Sequence, residues 1–133
     1  GRKNDYRIPQ TFTKSLLEIE EKTKENTGIT LTICANYGGK QELVDALKSI
    51  VSNQVESEDI NEDLLYKHMY HSELPDIDLL IRTSGEKKIS NFMLWHLAYC
   101  EFVFFDVNWP DFKNFHLLYA IHEYKSRKKT KGE

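Results

Sequence analysis

The sequence predicts an α/β fold, a parallel sheet flanked by helices, on three observations. Stretches of helical periodicity alternate with short apolar strands, Ile29 to Cys34 alternates at period two, and Phe102 to Val107 reads as a strand buried on both faces. Strands that alternate with helices form β-α-β units, and those place their strands in parallel.

The elements follow in order. Pro9 can open a helix whose apolar residues Phe12, Leu16 and Ile19 recur at i, i+4 and i+7, until Asn26-Thr27-Gly28 supplies a stop. Ile29 to Cys34 is the first expected strand, and it runs into the turn Asn36-Tyr37-Gly38-Gly39. Leu43, Leu47 and Ile50, with Val44 and Val51 beside them, make the next helical stripe. After the polar loop from Ser52 to Asp59, Asn61 can cap a shorter helix through Leu64 and Leu65. Leu79-Leu80-Ile81 is a short apolar strand that ends in Arg82-Thr83-Ser84-Gly85-Glu86. Ser90 is then a good N-cap for a helix carrying Phe92, Leu94, Leu97 and Ala98, and after the strand from Phe102 Asp111 can cap a last helix with Phe115, Leu118 and Ile121 inside. Three strands are few for an open sheet with two covered faces, which predicts further sheet upstream.

A chain of 133 residues with 40% hydrophobic and 29% charged residues suits one soluble domain with a core, and excludes a disordered or fibrous protein. No apolar run approaches the roughly 20 residues of a membrane span, and Gly1 to Asp5 resembles no signal peptide, so the expected address is cytoplasmic. Cys34 and Cys100 lack metal or disulfide spacing and are expected to be reduced core residues. The net charge of −3 argues against a nucleic-acid binder, although Lys125, Arg127, Lys128, Lys129 and Lys131 crowd the last turns, where cations complement a helix dipole.

In open parallel sheets ligands bind beyond the carboxyl ends of the strands, and the unusual polar segments lie there: Asn36 to Gly39, Arg82 to Glu86 and Asp106 to Asp111. Arg82, Lys88 and a helix start at Ser90 would together make a phosphate or diphosphate clamp. The alternative pairs Arg82 with Glu86 or Asp78 and leaves the lysines in water, and the pattern alone does not separate the two. Glu101 reads either as a magnesium ligand beside such a clamp or as a surface carboxylate at a helix end. His68 and His71 lack the further ligands of a metal site, Trp95 and Trp109 are expected in core and rim, and Gly38-Gly39 lacks the rest of a nucleotide loop.

Four segments in series then carry a resemblance. Asn36-Tyr37-Gly38-Gly39-Lys40, Asp78 through Glu86, Ser90-Asn91-Phe92 and Trp109-Pro110-Asp111-Phe112 resemble, in order and spacing, the signature segments of cis-prenyltransferases of the undecaprenyl diphosphate synthase type. The resemblance covers essentially the whole chain. It implies that residues 1–133 are the C-terminal portion of a single catalytic domain, incomplete relative to the family, whose enzymes condense isopentenyl diphosphate onto an allylic diphosphate such as farnesyl diphosphate with Mg²⁺. By position it implies that Arg82, Lys88, Ile89 and Ser90 bind isopentenyl diphosphate, that Glu101 helps bind Mg²⁺, and that the enzyme is a homodimer with no nucleic acid and at most a peripheral membrane contact.

Departures accompany the match. Lysine stands at Lys88 and Lys40 where the family has arginine, Thr130-Lys131-Gly132 replaces a terminal Arg-x-Gly, and no Asp-Gly-Asn-Gly-Arg segment for the allylic diphosphate is present. The expectation is a chain inactive by itself. Two rivals stand beside it: a non-catalytic partner subunit, and a module that binds RNA or anionic lipid through its basic tail.

Overall fold

In the computed structural model, which describes residues 1–2, 5–6 and 8–128, Pro9 is the N-cap of helix α1 (Gln10–Thr23), as its fixed φ suits. The chain forms two compact units, Gly1–Tyr70 and His71–Glu133. The first unit holds α1, α2 (Gly39–Ser52) and α3 (Glu62–Lys67); the second holds strands β1 (Leu79–Arg82) and β2 (Glu101–Phe104) and helix α4 (Asn114–Ser126).

Within the first unit, α2 packs against α3 and buries Glu42, Ala46 and Ile50, one face at spacings of four. This corrects the expected stripe in part. Ile50 is inside, but Val44, Leu47 and Val51 are exposed. The position between them and the core belongs to Glu42, whose burial is satisfied by donors: Tyr70 N–H at 3.1 Å and the Tyr37 hydroxyl. Asp45, one helical turn along, accepts from Tyr70 OH, from Arg2 Nε at 3.0 Å and from Gln41 Nε2 at 2.9 Å. Burial alone would raise the Asp45 pKa, but these donors outweigh it and hold the carboxyl below its usual range, while burial and then Asp45 push the Tyr70 phenol up to about 12. Asn61 caps α3 through Leu64 N–H at 2.9 Å, as its sequence position predicts. His68 lies past the end of α3 and meets Ser49 Oγ at 2.8 Å.

The expected strand from Ile29 to Cys34 is not a strand. It takes no regular secondary structure, and Ile29, Leu31 and Ile33 are exposed. Alternation states which faces a strand would have, whereas a ladder also needs a partner, and among the described residues β1 and β2 pair only with each other. α1 likewise forms without burying any residue.

In the second unit β1 and β2 run parallel, with Leu79 opposite Glu101 and Arg82 opposite Phe104. Leu80, Leu97 and Cys100 form the core, against which Ile77, Ile89, Met93 and Phe102 pack. Burial pushes the Cys100 thiol up to about 11, so it stays a thiol at neutral pH. The crossover between the strands departs from expectation. Residues 90–99 form turns rather than a helix, because Ser90, Asn91 and Met93 adopt φ of +48°, +63° and +47°, through which a right-handed helix cannot run. Leu97 is still delivered to the core, while Phe92 and Ala98 stay exposed. Of the expected strand from Phe102 to Val107, the ladder takes residues 101–104, and Val103 alone of these is buried.

α4 begins at Asn114 instead of after Asp111. Trp109–Asp111 is first wound into one 3-10 turn, Phe112 is extended, and Lys113 becomes the N-cap with its N–H donated to His116 Nδ1 at 2.9 Å. The helix meets β2. It buries Ala120, and at about 100° per residue Phe115 and Leu118 fall on the opposite side, which is why both are exposed. Trp109 is exposed too, stacked on Phe112 at 5.7 Å.

Candidate anion clamp and an acidic pair at the other end of the sheet

β1 ends by placing Arg82 at the carboxyl edge of the two-stranded sheet, where its carbonyl receives Phe105 N–H at 2.8 Å. The loop that follows is folded back on the end of β2. Ser84 N–H reaches Val107 O at 2.7 Å and Gly85 N–H reaches Phe105 O at 2.9 Å. Ser84 and Gly85 take φ of +75° and +71°, a double left-handed bend that returns Glu86 toward Arg82. The segments Arg82 to Glu86 and Asp106 to Asp111 therefore share one rim, as expected; Asn36 to Gly39 belongs to the other unit.

The Arg82 side chain is 22% exposed and organises that rim. Its Nη1 donates to Lys88 O at 2.6 Å and to Ser90 Oγ at 3.0 Å. Its Nη2 donates to Glu86, whose other carboxylate oxygen lies 3.1 Å from Lys88 Nζ. Its Nε is buried and makes no hydrogen bond among the described residues. The Lys88 ammonium first, and then Arg82, hold the Glu86 carboxyl below its usual range. Arg82, Lys88 and Ser90 are thus brought together, and Ile89 between them packs on the core beside Leu80 and Leu97. The Arg82–Glu86 pairing of the alternative reading is present, and Arg82 also holds the Lys88–Ser90 loop. One part of the expected clamp is corrected. Ser90 begins no helix, so neither helix amides nor a helix dipole contributes, and the site consists of side chains on a loop.

Such a site fits an anion with several oxygens. A guanidinium held by Nη1 turns its Nε–Nη2 edge toward acceptors, of which Glu86 takes Nη2 alone, and the Ser90 hydroxyl, which accepts from Arg82, still has a proton to donate. The orphaned Nε is the polar atom that a phosphate oxygen would satisfy.

Glu101 lies elsewhere. Its register partner is Leu79, three residues before Arg82, or roughly 10 Å down the strands toward their amino ends. There the end of α4 covers the acidic start of both strands. Tyr124 OH donates to Asp78 Oδ1 at 2.7 Å, and Arg127 Nη1 donates to Glu101 Oε2 at 2.8 Å and to Phe102 O at 3.0 Å. Glu101 stands at the start of β2 instead of at a helix end. While Arg127 holds it, it offers a cation at most its other oxygen, and among the described residues no group of three or more His, Cys, Asp or Glu is placed to hold a metal. The Arg127 contact was not legible from sequence, because the partners are 26 residues apart; the Arg82–Glu86 pair was, at a spacing of four. Thr130-Lys131-Gly132, Lys129 and Lys131 lie outside the described residues.

Residues 2–132 match the prenyltransferase family model for undecaprenyl diphosphate synthase. An isoprenyl transferase of Bacillus cereus is 45% identical over 130 residues, 95% of this chain and 50% of that protein. A tritrans,polycis-undecaprenyl-diphosphate synthase (geranylgeranyl-diphosphate specific) of Sulfurisphaera tokodaii is 42% identical over 131 residues, 96% of this chain and 50% of that protein. The crystal structure of lavandulyl diphosphate synthase from Lavandula x intermedia, in complex with dimethylallyl diphosphate, superposes with a TM-score of 0.89 at 31% identity, over 96% of this chain and 56% of that one. The chain spans about half the length of the curated relatives it matches. No helix among the described residues is long and apolar enough to cross a membrane.

Proposed function

The chain belongs to the undecaprenyl diphosphate synthase family of prenyltransferases, and on that premise we propose that it supplies the isopentenyl diphosphate clamp of an enzyme making Z-polyprenyl diphosphate. The observation that carries the reading is the Arg82 guanidinium, fixed by Lys88 O and Ser90 Oγ with its Nε unsatisfied and the Lys88 ammonium nearby. In the reaction the isopentenyl double bond attacks the allylic carbon, the allylic diphosphate leaves, and a proton is lost. The clamp's part is to hold one diphosphate still so that the double bond faces that carbon, a contribution of position and charge rather than of covalent chemistry.

Mg²⁺ belongs to the same proposal. Glu101 is the carboxylate this chain would bring to it, on condition that Arg127 lets go, and no step is derived through the ion. The working enzyme is a cytoplasmic homodimer in this reading, touching the membrane at most peripherally; the exposed Phe115 and Leu118 of α4 support a surface that is covered in use. Arg127, engaged with Glu101 and Glu123 of its own chain, gives less support to a tail that grips RNA or lipid.

The test is titration of the chain with pyrophosphate, followed by calorimetry and by the Arg82 Nε–H resonance. Binding that moves this resonance and is abolished in Arg82→Ala is the expected result, with no polyprenyl product from labelled isopentenyl and farnesyl diphosphates by this chain alone. A folded chain that ignores pyrophosphate, or an Arg82→Ala variant that binds it equally well, would overturn the reading.

A further inference from the structure

We propose that Glu86 is the resident counter-ion of the clamp, a carboxylate that an incoming diphosphate must displace from Arg82 and Lys88, so that it limits which anions the site accepts and how tightly. The inference rests on the clamp reading above and concerns how that clamp is kept when no substrate is bound.

The geometry that points to it is the division of labour around one guanidinium. Arg82 Nη1 is committed to the loop through Lys88 O and Ser90 Oγ. The edge formed by Nε and Nη2 faces an acceptor, and Glu86 satisfies only half of it: Nη2 donates to Glu86 while Nε is left buried and unbonded. The second Glu86 oxygen is turned instead to Lys88 Nζ, 3.1 Å away. One carboxylate thus bridges both cations without matching the Arg82 fork. A phosphate has the oxygens to take Nε and Nη2 together, a second phosphate can meet the ammonium, and the exchange trades a single negative charge for several.

Release of Glu86 is mechanically simple. It sits in the loop at 46% side-chain exposure, next to the bend at Ser84 and Gly85, and is not among the residues packed on the core. Arg82 stays oriented without it, because both Nη1 bonds are independent of Glu86. These two facts fix the sign of the expected effect. Removing the carboxylate deletes a competitor and a repelling charge, and leaves the guanidinium in place, so anion affinity rises. It also follows that a monoanion, which brings no more charge than the carboxylate it displaces, gains little by evicting Glu86, so the residue confers selectivity for polyvalent phosphates.

The experiment compares the chain with Glu86→Gln, Arg82→Ala and the double variant, titrated with inorganic pyrophosphate at constant ionic strength. Glutamine keeps the shape of the loop and removes only the charge. A Kd for pyrophosphate at least five-fold lower in Glu86→Gln, lost again when Arg82→Ala is added, is the expected result. If the unmodified chain binds pyrophosphate through Arg82 but Glu86→Gln binds it no better or worse, Glu86 is not a displaced counter-ion and only the clamp stands. If Glu86→Gln gains affinity that survives Arg82→Ala, the gain is diffuse electrostatics, and the proposal fails. If neither the chain nor Glu86→Gln binds at all in a folded sample, the clamp reading fails and the counter-ion reading with it.

Discussion

Replacing Gly85 with alanine tests the loop that carries the clamp, and its cost can be worked from the coordinates. At φ +71° the backbone lies where an L-residue is strained by about 1–2 kcal/mol. Alanine returns about 0.4–1 kcal/mol by restricting the unfolded chain. The added methyl would fall 2.7 Å from Asp106 Oδ1, 3.4 Å from its Cγ and 4.0 Å from its Cα, so the collision is with the rotatable end of an exposed side chain and the backbone is not struck. Relief by turning the Asp106 carboxylate adds little. The net expectation is a loss of roughly 1 kcal/mol, about a five-fold fall in the ratio of folded to unfolded chain. Urea unfolding of the two proteins gives this number directly, and Gly85→Asn, which tolerates the left-handed region better, should lose less. Amide spectra should show the change confined to the Ser84–Val107 and Gly85–Phe105 hydrogen bonds and the neighbouring Arg82 signal. Equal or greater stability of the alanine variant would refute the bend described here, and a loss well beyond about 3 kcal/mol would mean that the backbone is struck after all.

Two further expectations follow from the same coordinates. Tyr70 has its phenol pushed up to about 12, by burial first and then by Asp45, against roughly 10 in the unfolded chain, so its stabilising contribution is complete below about pH 10 and is lost as pH rises through 12. The residue is only half-buried, and solvent screening cuts the effect to about 1 kcal/mol; unfolding of the chain and of Tyr70→Phe across that window should converge at high pH, and a constant difference would exclude the coupling. Arg127→Ala should expose both oxygens of Glu101 and make the Glu101 and Phe102 amides respond to Mg²⁺ at concentrations that leave the unmodified chain unchanged; identical titrations would show that Arg127 does not guard this carboxylate.

What could be read from the sequence divides by the range of the interaction that decides it. Helices α1 and α3 were legible, because Pro9 and Asn61 act within a turn of their own positions. β1 and β2 were legible as apolar runs, and their parallel pairing followed from the long connection between them. The helix expected from Ser90 was misread for a local reason: Ser and Asn are good caps and also tolerate left-handed backbone, and here Ser90 and Asn91 take the second course. The buried face of α2 was misread because Glu42 goes inside only if Tyr37 and Tyr70 come to it, and Tyr70 is 28 residues away. The clamp was the most legible part of the site, since Arg82, Glu86, Lys88 and Ser90 lie within nine residues of one another and one strand end fixes them all. Glu101 shares a strand with the residues opposite Arg82, but the register, which the sequence does not state, puts it at the other end.

The segment from Ile29 to Cys34 has a practical consequence. Ile29, Leu31 and Ile33 alternate with Thr30 and Thr32, with no charge and no proline among the six residues, and the segment joins no ladder, so it has the character of a short amyloid-forming window. A second copy of the chain can supply a ladder partner there. The expected outcome is self-association that grows with concentration, with Ile29, Leu31 and Ile33 as the adhesive face, read by light scattering. A lysine in place of Leu31, which is 82% exposed and supports no core, would act as a gatekeeper against that pairing without touching the clamp.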